Sequence, residues 1–246
     1  MSDKSPLSEL LVGIGRQPLS SDDEKNLSLL QISNDRLTSL HEGVLCSVAN
    51  LRGIDMSHSR LTSLPEGVFR AQTDLRWLDM SHNTFTSLPE GVFRAQTDLR
   101  WLYMTHNRLT SLPESVFSGL MNLKSLFLPY NRLAFLPEGV FRALSNLDEL
   151  VLSDNRLTFL PDGIFRAQTN LQRLDLSHNW LASLPMSVCG LSELHTFRTG
   201  ANPLIFIYQE NINGSFARCQ EYTKDVTEIQ GTLAVMWELA LIAFCE

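Results

Sequence analysis

The sequence Leu75-Arg-Trp-Leu78-Asp-Met80-Ser-His-Asn83-Thr-Phe85-Thr-Ser-Leu88-Pro89 decides the fold, because it is one copy of a unit that recurs along the 246-residue chain. Residues 62–78 and 86–102 are identical over seventeen positions, which indicates a recent duplication of one unit. A repeat of this length predicts a stacked array in which each unit contacts only its neighbours. The leucine that opens each copy recurs every 24 residues, at Leu27, Leu51, Leu75, Leu99, Leu123, Leu147 and Leu171.

The alternating leucines at the start of each unit predict one short strand per repeat. Because consecutive strands are connected in the same way, they are expected to lie parallel in one sheet, about 4.8 Å apart, so that eight units form a curved solenoid about 38 Å long. An asparagine that follows each strand is predicted to satisfy backbone groups of the neighbouring turns, at Asn83, Asn107, Asn131, Asn155, Asn179 and Asn202. A phenylalanine spine is predicted under the convex side, from Phe69, Phe93, Phe117, Phe141 and Phe165.

The unit LxxLxLxxNxLxxLPxxxFxxxxx resembles the leucine-rich repeat family, in the 24-residue type typical of animal ectodomains such as lamprey variable lymphocyte receptors and Toll-like receptors. The match runs from Leu27 to about Leu204. The resemblance implies an α/β repeat solenoid of about eight repeats with a parallel concave sheet, and a non-catalytic role in immune-type or signalling recognition. In those ectodomains closely spaced cysteines hold the caps, and this sequence has no such cluster at either end.

Three regions are predicted: an N-terminal flank over residues 1–26, the repeat array over residues 27–209 and a C-terminal flank over residues 210–246. A short capping helix is expected near the N-terminus, because Ser5 and Pro6 are typical of a helix start and apolar residues follow at helical spacing. A second capping helix is expected at the other end, where one helix face would carry Leu233, Met236, Trp237, Ala240, Leu241 and Phe244.

Charge and composition exclude few functions. The net charge of −7 divides into −2 for residues 1–33, −1 for 34–209 and −4 for 210–246, so no basic field favours nucleic acid or an anionic membrane. No secretory signal is visible, and the apolar segment over residues 232–245 is too short to span a membrane. These observations favour an intracellular location, whereas the repeat type favours an extracellular one. Free buried thiols are the simplest reading of Cys46, Cys189, Cys219 and Cys245, with Cys219–Cys245 as the expected bridge in an oxidising compartment.

Function is expected on the concave sheet, because residues beside the buried leucines of a strand point outward. Aromatic residues cluster there on adjacent strands and are edged by bases and histidines, a composition typical of a binding hot spot. The candidate ligand-binding residues are Arg76, Trp77, Asp79, His82, Arg100, Trp101, Tyr103, His106, Phe127 and Tyr130. The simpler alternative is that Trp77 and Trp101 only stack on each other as a cross-strand pair.

Other functions are weaker predictions. Histidines in a nearly straight row do not surround a tetrahedral metal ion, so no metal or other cofactor is expected. Ser81 and His82 are successive strand residues, and no phosphate loop or nucleophile elbow is present, so catalysis is not expected. Single-stranded nucleic acid is disfavoured by Asp55 and Asp79 beside the basic column. The sequence therefore predicts a protein-binding module, with a glycan receptor or an assembly scaffold as the alternatives; it leaves the oligomeric state open.

Overall fold

The computed structural model describes residues 5–33 and 36–204. Eight parallel strands form one sheet in sequence order, which confirms the predicted solenoid. Two helices precede the sheet, α1 over Pro6–Gly13 and α2 over Ser21–Asn26, and a 3₁₀ helix covers Met186–Gly190. The strands are β1 Leu29–Gln31, β2 Gly53–Asp55, β3 Trp77–Asp79, β4 Trp101–Tyr103, β5 Ser125–Phe127, β6 Glu149–Val151, β7 Arg173–Asp175 and β8 Thr196–Arg198.

Each strand is three residues long, and its central residue points into the core. In β3, β4 and β5 this residue is a leucine with no exposed surface. The register advances by 24 residues from one strand to the next as far as β7, where Arg173 pairs with Thr196 at a spacing of 23. The shorter last repeat has the 3₁₀ helix where earlier repeats have their phenylalanine segment.

The convex side is held by two buried columns. The phenylalanine spine is confirmed: consecutive rings lie 6.2–6.4 Å apart and within 12° of parallel. Beside it, Gln72, Gln96 and Gln168 are fully buried, and each Nε2 donates to a backbone carbonyl of the preceding repeat at 2.6–2.7 Å. These glutamines were not predicted from the sequence, and they hold the turns together where the chain has no regular secondary structure.

The predicted asparagines form a column, which we call the asparagine ladder, just beyond the C-terminal ends of the strands, at Asn83, Asn107, Asn131, Asn155, Asn179 and Asn202. Asn83 Oδ1 accepts from the Leu61 amide at 3.0 Å, and its Nδ2 donates to the carbonyls of Met56 and Met80 at 2.9 and 3.1 Å. The same pattern repeats to Asn202, so the predicted role of these amides is confirmed. The second repeat has Ser59 instead, whose hydroxyl donates to the Ser57 carbonyl at 3.2 Å.

A short helix is present where the sequence predicts one near the N-terminus. The Ser5 hydroxyl caps α1 by accepting from the Ser8 amide at 3.0 Å, and the helix contributes Leu7 and Leu11 to the hydrophobic core. Glu24 of α2 is buried against α1 and accepts hydrogen bonds from the Ser5 and Ser8 hydroxyls. Burial alone raises the pKa of Glu24, but serine hydroxyls that bond its carboxylate reverse this effect and leave the pKa below its usual value. The capping role of α1 stays a prediction.

Two of the cysteines differ from the expectation of free buried thiols. Cys46 is free but exposed, and Cys189 is disulfide-bonded. The expected Cys219–Cys245 bridge, the C-terminal capping helix and the flank over residues 210–246 lie outside the described residues. Within residues 5–33 and 36–204, no helix has the length and apolar character needed to cross a membrane.

Candidate ligand-binding surface on the concave sheet

The concave surface is built from strand residues on either side of each buried central leucine. Because side chains alternate along a strand, the first and third residues of β3 and β4 point away from the core. The parallel register aligns these positions into columns, with Trp77 beside Trp101 in one column and Asp79 beside Tyr103 in the other. The predicted face is therefore the face that the structure exposes.

Aromatic side chains cluster at the middle of this surface. Tyr103 and Phe127 stack in parallel, with ring centroids 4.8 Å apart, and Trp77 tilts toward Tyr103 at 6.5 Å and 58°. Trp101 is 39% exposed. The aromatic contacts of residues 5–33 and 36–204 include no stacked Trp77–Trp101 pair, so the alternative of a simple cross-strand stack is not supported.

The tryptophan of β3 lies over a glycine of the preceding strand. A Cβ at Gly53 would lie 3.3 Å from Trp77 Cε3 and 2.8 Å from Leu29 Cδ1. The absent side chain therefore leaves the space into which Trp77 and Leu29 pack from either side. Gly53 pairs with Trp77 in the register of β2 and β3, so the two residues share one outward column.

Histidines form a second aromatic row at the C-terminal edge of the strands. His58, His82 and His106 stack face to face at 4.2 and 4.3 Å, and Tyr130 continues the stack at 4.3 Å from His106. All four have a left-handed backbone with φ of 48–55°, which turns the chain just before each ladder position. His82, His106 and Tyr130 thus join the candidate surface as one continuous stack.

The stack affects the charge that His82 can carry. Burial lowers the pKa of His82, charges on His58 and His106 lower it further, and the carboxylate of Asp79 acts in the opposite direction with a smaller effect. Burial likewise raises the pKa of Tyr103, with a further contribution from Asp79 and Glu149. The described residues contain no cluster of ligating side chains suited to a metal ion, since parallel stacked rings direct their nitrogens side by side.

Charges are distributed unevenly along the sheet. In the C-terminal half, ion pairs join Lys124 to Asp148 at 3.3 Å and Arg173 to Glu149 at 3.8 Å. In the N-terminal half, Arg76 and Arg100 are exposed, and neither forms an ion pair with any residue that the structure describes. Asp79 instead accepts a hydrogen bond from the Ser81 amide at 2.8 Å. Two guanidinium groups are therefore available beside the aromatic cluster.

The serine and histidine of this surface do not form a nucleophile and base pair. The Ser81 hydroxyl is buried and has no hydrogen-bond partner among the described residues. His82 is instead engaged in the ring stack. General-base activation needs a hydrogen bond between the two groups, which this arrangement lacks.

Comparison with known families identifies the architecture. The leucine rich repeat model matches residues 25–85, 49–109, 97–157 and 145–204. The chain belongs to the leucine-rich repeat family. Folds of this family are commonly protein-binding modules, and a search of curated proteins finds no significant match to this chain.

Solved structures of other leucine-rich repeat proteins are similar to this one. A protein of Leptospira interrogans is 30% identical with a TM-score of 0.69, over 77% of this chain and 47% of that chain. The TLR13–ssRNA13 complex is 26% identical with a TM-score of 0.58, over 80% of this chain and 32% of that chain. The Toll–Spatzle complex of Drosophila is 27% identical with a TM-score of 0.61, over 79% of this chain and 30% of that chain. This leucine-rich repeat chain thus spans less than half of each of these chains.

The ten predicted site residues of this leucine-rich repeat solenoid fall into three groups. Five lie on the strands themselves, namely Trp77, Asp79, Trp101, Tyr103 and Phe127, and three lie in the left-handed turns that follow, namely His82, His106 and Tyr130. Arg76 and Arg100 immediately precede β3 and β4. A separate group of exposed aromatic side chains beyond the ladder was not predicted from the sequence, namely Phe135, Phe159 and Trp180. Phe135 and Phe159 stand where the four earlier repeats and the seventh repeat have serine, and this substitution within one column was the available signal.

Proposed function

We propose that this leucine-rich repeat protein is a non-catalytic recognition module that binds a protein ligand on its concave sheet, over β3 to β5. The observation that carries the proposal is Trp101, a large aromatic side chain left 39% exposed on β4, the strand whose Tyr103 contacts both Trp77 and Phe127. Such a group loses water-exposed apolar area when a partner covers it, and tryptophan is the residue type most enriched in binding hot spots.

The charges around the cluster favour a polypeptide as the ligand. Arg76 and Arg100 offer cationic groups, while Asp79 presents a carboxylate in the same surface. A protein ligand carries both signs of charge and matches such a mixed surface, whereas the uniform negative charge of a nucleic acid is repelled by Asp79. The complexes of TLR13 with ssRNA13 and of Toll with Spatzle illustrate RNA and protein ligands in related folds.

The deciding experiment is a pull-down from native extract with the tagged 246-residue chain and two variants. Trp101→Ala removes the exposed tryptophan of β4, and Arg94→Ala is the control because Arg94 is exposed on the convex side. We expect wild type and Arg94→Ala to retain the same protein, and Trp101→Ala to lose it. With the purified partner, the expected loss for Trp101→Ala is about 2 kcal/mol or more, or roughly thirtyfold in Kd.

Three further arms separate the alternatives. Nuclease treatment of the extract abolishes retention if RNA is the ligand, and deglycosylation abolishes it if a glycan is recognised. Weaker binding by Arg94→Ala than by Trp101→Ala would place the ligand on the convex side and refute the proposal. Trp77→Ala and Tyr103→Ala are expected to give smaller losses than Trp101→Ala, because Trp77 and Tyr103 are already in contact with each other.

A further inference from the structure

A second surface lies beyond the asparagine ladder, on the side of the solenoid that we call the asparagine flank. It consists of the six residues that follow each ladder asparagine and the acidic or apolar residue after them. These segments run parallel in consecutive repeats and are joined by backbone hydrogen bonds, such as Arg132 N to Leu109 O at 2.9 Å and Arg156 N to Leu133 O at 2.9 Å. In the segments that follow Asn131 and Asn155, two exposed residues lie between two buried leucines, and equivalent exposed positions of consecutive repeats form columns.

The middle column of the flank is apolar in the two adjacent repeats that carry Phe135 and Phe159, and it is Ser183 in the repeat that follows them. Phe135 and Phe159 are 57% and 56% exposed, and they lie on adjacent repeats at equivalent positions. The equivalent residues of earlier repeats are Ser63, Ser87 and Ser111. Trp180 of the next repeat is 60% exposed and lies at the equivalent position to Arg156, beside the phenylalanines.

Opposite charges flank this apolar column at equal distances along the chain. Arg132 lies three residues before Phe135 and Glu138 three residues after it. Arg156 and Asp162 stand in the same relation to Phe159. All four charged side chains are exposed, and within the part of the chain that the structure describes none of them forms an ion pair.

We propose that the asparagine flank is the interface of a symmetric dimer of this chain, with the two-fold axis along the phenylalanine column and parallel to the solenoid axis. A two-fold axis in the contact plane brings each surface onto itself. With this axis, Phe135 and Phe159 each contact their own copies, and the arginine column of one protomer faces the acidic column of its partner. An axis perpendicular to the column would instead set arginine against arginine.

The same symmetry matches the apolar end of the flank. The residues that continue the arginine and acidic columns into the next repeat are Trp180 and Met186, which are 60% and 38% exposed. The proposed axis sets Trp180 of each protomer on the equivalent of Met186 in its partner. An aromatic ring packed on a thioether is a favourable contact. The proposed axis therefore sets charged residues on residues of opposite charge, and apolar residues on apolar residues.

The apolar area suits a weak dimer. At their observed exposures, Phe135, Phe159 and Trp180 present roughly 350 Å² of surface per protomer, within the range of a functional patch. A standard interface buries about 800 Å² per partner, so the paired charges form the remaining rim. Association in the micromolar range is therefore expected, and it is independent of ligand binding on the concave sheet.

Sedimentation velocity of the full chain over roughly 1 to 100 µM tests the proposal. Every protein in the series carries Cys46→Ser, because an exposed free thiol forms disulfide-linked dimers of its own. We expect the mass to rise from 27.8 kDa toward twice that value for the parent protein. Phe135→Asp with Phe159→Asp is expected to remain monomeric, and the convex control Met121→Asp is expected to associate as the parent does.

Charge reversal tests the position of the axis. Arg132→Glu with Arg156→Glu leaves both columns acidic, and Glu138→Arg with Asp162→Arg leaves both basic, so each variant alone is expected to associate at least tenfold more weakly. An equimolar mixture of the two is expected to form the heterodimer, and this rescue also shows that both variants are folded. Parent protein that stays monomeric at every concentration, or association unaffected by Phe135→Asp with Phe159→Asp, would overturn the proposal, as would failure of the mixture to associate.

The axis also predicts one self-contact outside the apolar patch. Ser111 lies on the phenylalanine column one repeat before Phe135, so the proposed axis brings the two copies of this residue together. In the Cys46→Ser background, Ser111→Cys is expected to form a covalent dimer under mild oxidation. The alternative axis would separate the two copies by several repeats, so absence of this cross-link in a protein that still dimerises would overturn the assigned symmetry.

Discussion

Replacement of one ladder asparagine is expected to destabilise the whole array, and Asn131→Ala is the clearest case. Asn131 Oδ1 accepts from the Leu109 amide at 3.1 Å, and its Nδ2 donates to the carbonyls of Met104 and Leu128 at 2.9 and 3.0 Å. Both carbonyls keep a second donor from a neighbouring ladder asparagine, at 3.2 Å from Asn107 and 3.0 Å from Asn155. The Leu109 amide has no such substitute and becomes an unsatisfied buried donor.

The expected loss follows from that difference. An unsatisfied buried N–H costs about 1–3 kcal/mol, and two weakened carbonyl contacts add about 0.5 kcal/mol each, which gives roughly 2–4 kcal/mol in the free energy of unfolding. Asn122→Ala is the matched control, because the exposed Asn122 makes a single bond to the Thr97 carbonyl at 3.0 Å. Its expected loss is about 0.5 kcal/mol or less.

Urea titration followed by circular dichroism and by tryptophan fluorescence measures both variants. Coincident transitions by the two probes establish that the array unfolds as one unit, which repeat proteins do not always do. Equal losses for Asn131→Ala and Asn122→Ala would refute the reasoning, because they would mean that the buried amide stabilises the array no more than an exposed one.

Three further changes test the core, the histidine stack and the convex turns. Leu102→Ala empties a fully buried position and should cost roughly 2–5 kcal/mol in a urea titration, whereas Arg100→Ala on the concave surface should cost under about 1 kcal/mol. The urea midpoint of the wild type should fall as the pH drops below 6.5, because the pKa of His82 is lowered in the folded state and the unfolded state therefore binds a proton that the folded state excludes. His82→Asn should weaken this pH dependence, and asparagine tolerates the left-handed backbone at this position. Gly119→Ala should cost about 1–3 kcal/mol in thermal unfolding, because its Cβ would lie 2.4 Å from the Phe93 carbonyl oxygen.

The repeating parts of the fold could be predicted because one physical requirement recurs in every unit. A column of leucines, asparagines or phenylalanines at a 24-residue spacing has to be buried in the same way each time, so the sheet order, the Asn83 to Asn202 ladder and the ring spine follow from the spacing alone. The left-handed turn before each ladder position was not predicted, although histidine occupies that position four times, at His58, His82, His106 and His178. Histidine and aspartate are enriched at positive φ, but a short strand tolerates them as well.

Features that depend on single repeats could not be predicted. Trp77 packs over Gly53, where a side chain would leave no room for it. This packing needs both a glycine on one strand and a large side chain at the paired position of the next strand. The 24-residue spacing makes Lys124 and Asp148 neighbours in one column, but whether their side chains meet depends on the conformation of each side chain, so the ion pair was not predicted. The exposed phenylalanines of the flank were overlooked because an apolar residue in a leucine-rich unit reads as core until its orientation is known.

The uneven charge pairing restricts where a ligand is expected to bind. Beyond β5 the acids and bases of the concave sheet already pair across neighbouring strands, so a ligand there would have to compete with existing contacts. Beside β3 and β4 the guanidinium groups of Arg76 and Arg100 have no ion-pair partner among the described residues. Trp101, next to Arg100 in the chain, is exposed. A ligand that covers β3 to β5 therefore gains both apolar burial and new ion pairs without breaking any, which is the condition under which binding is most favourable.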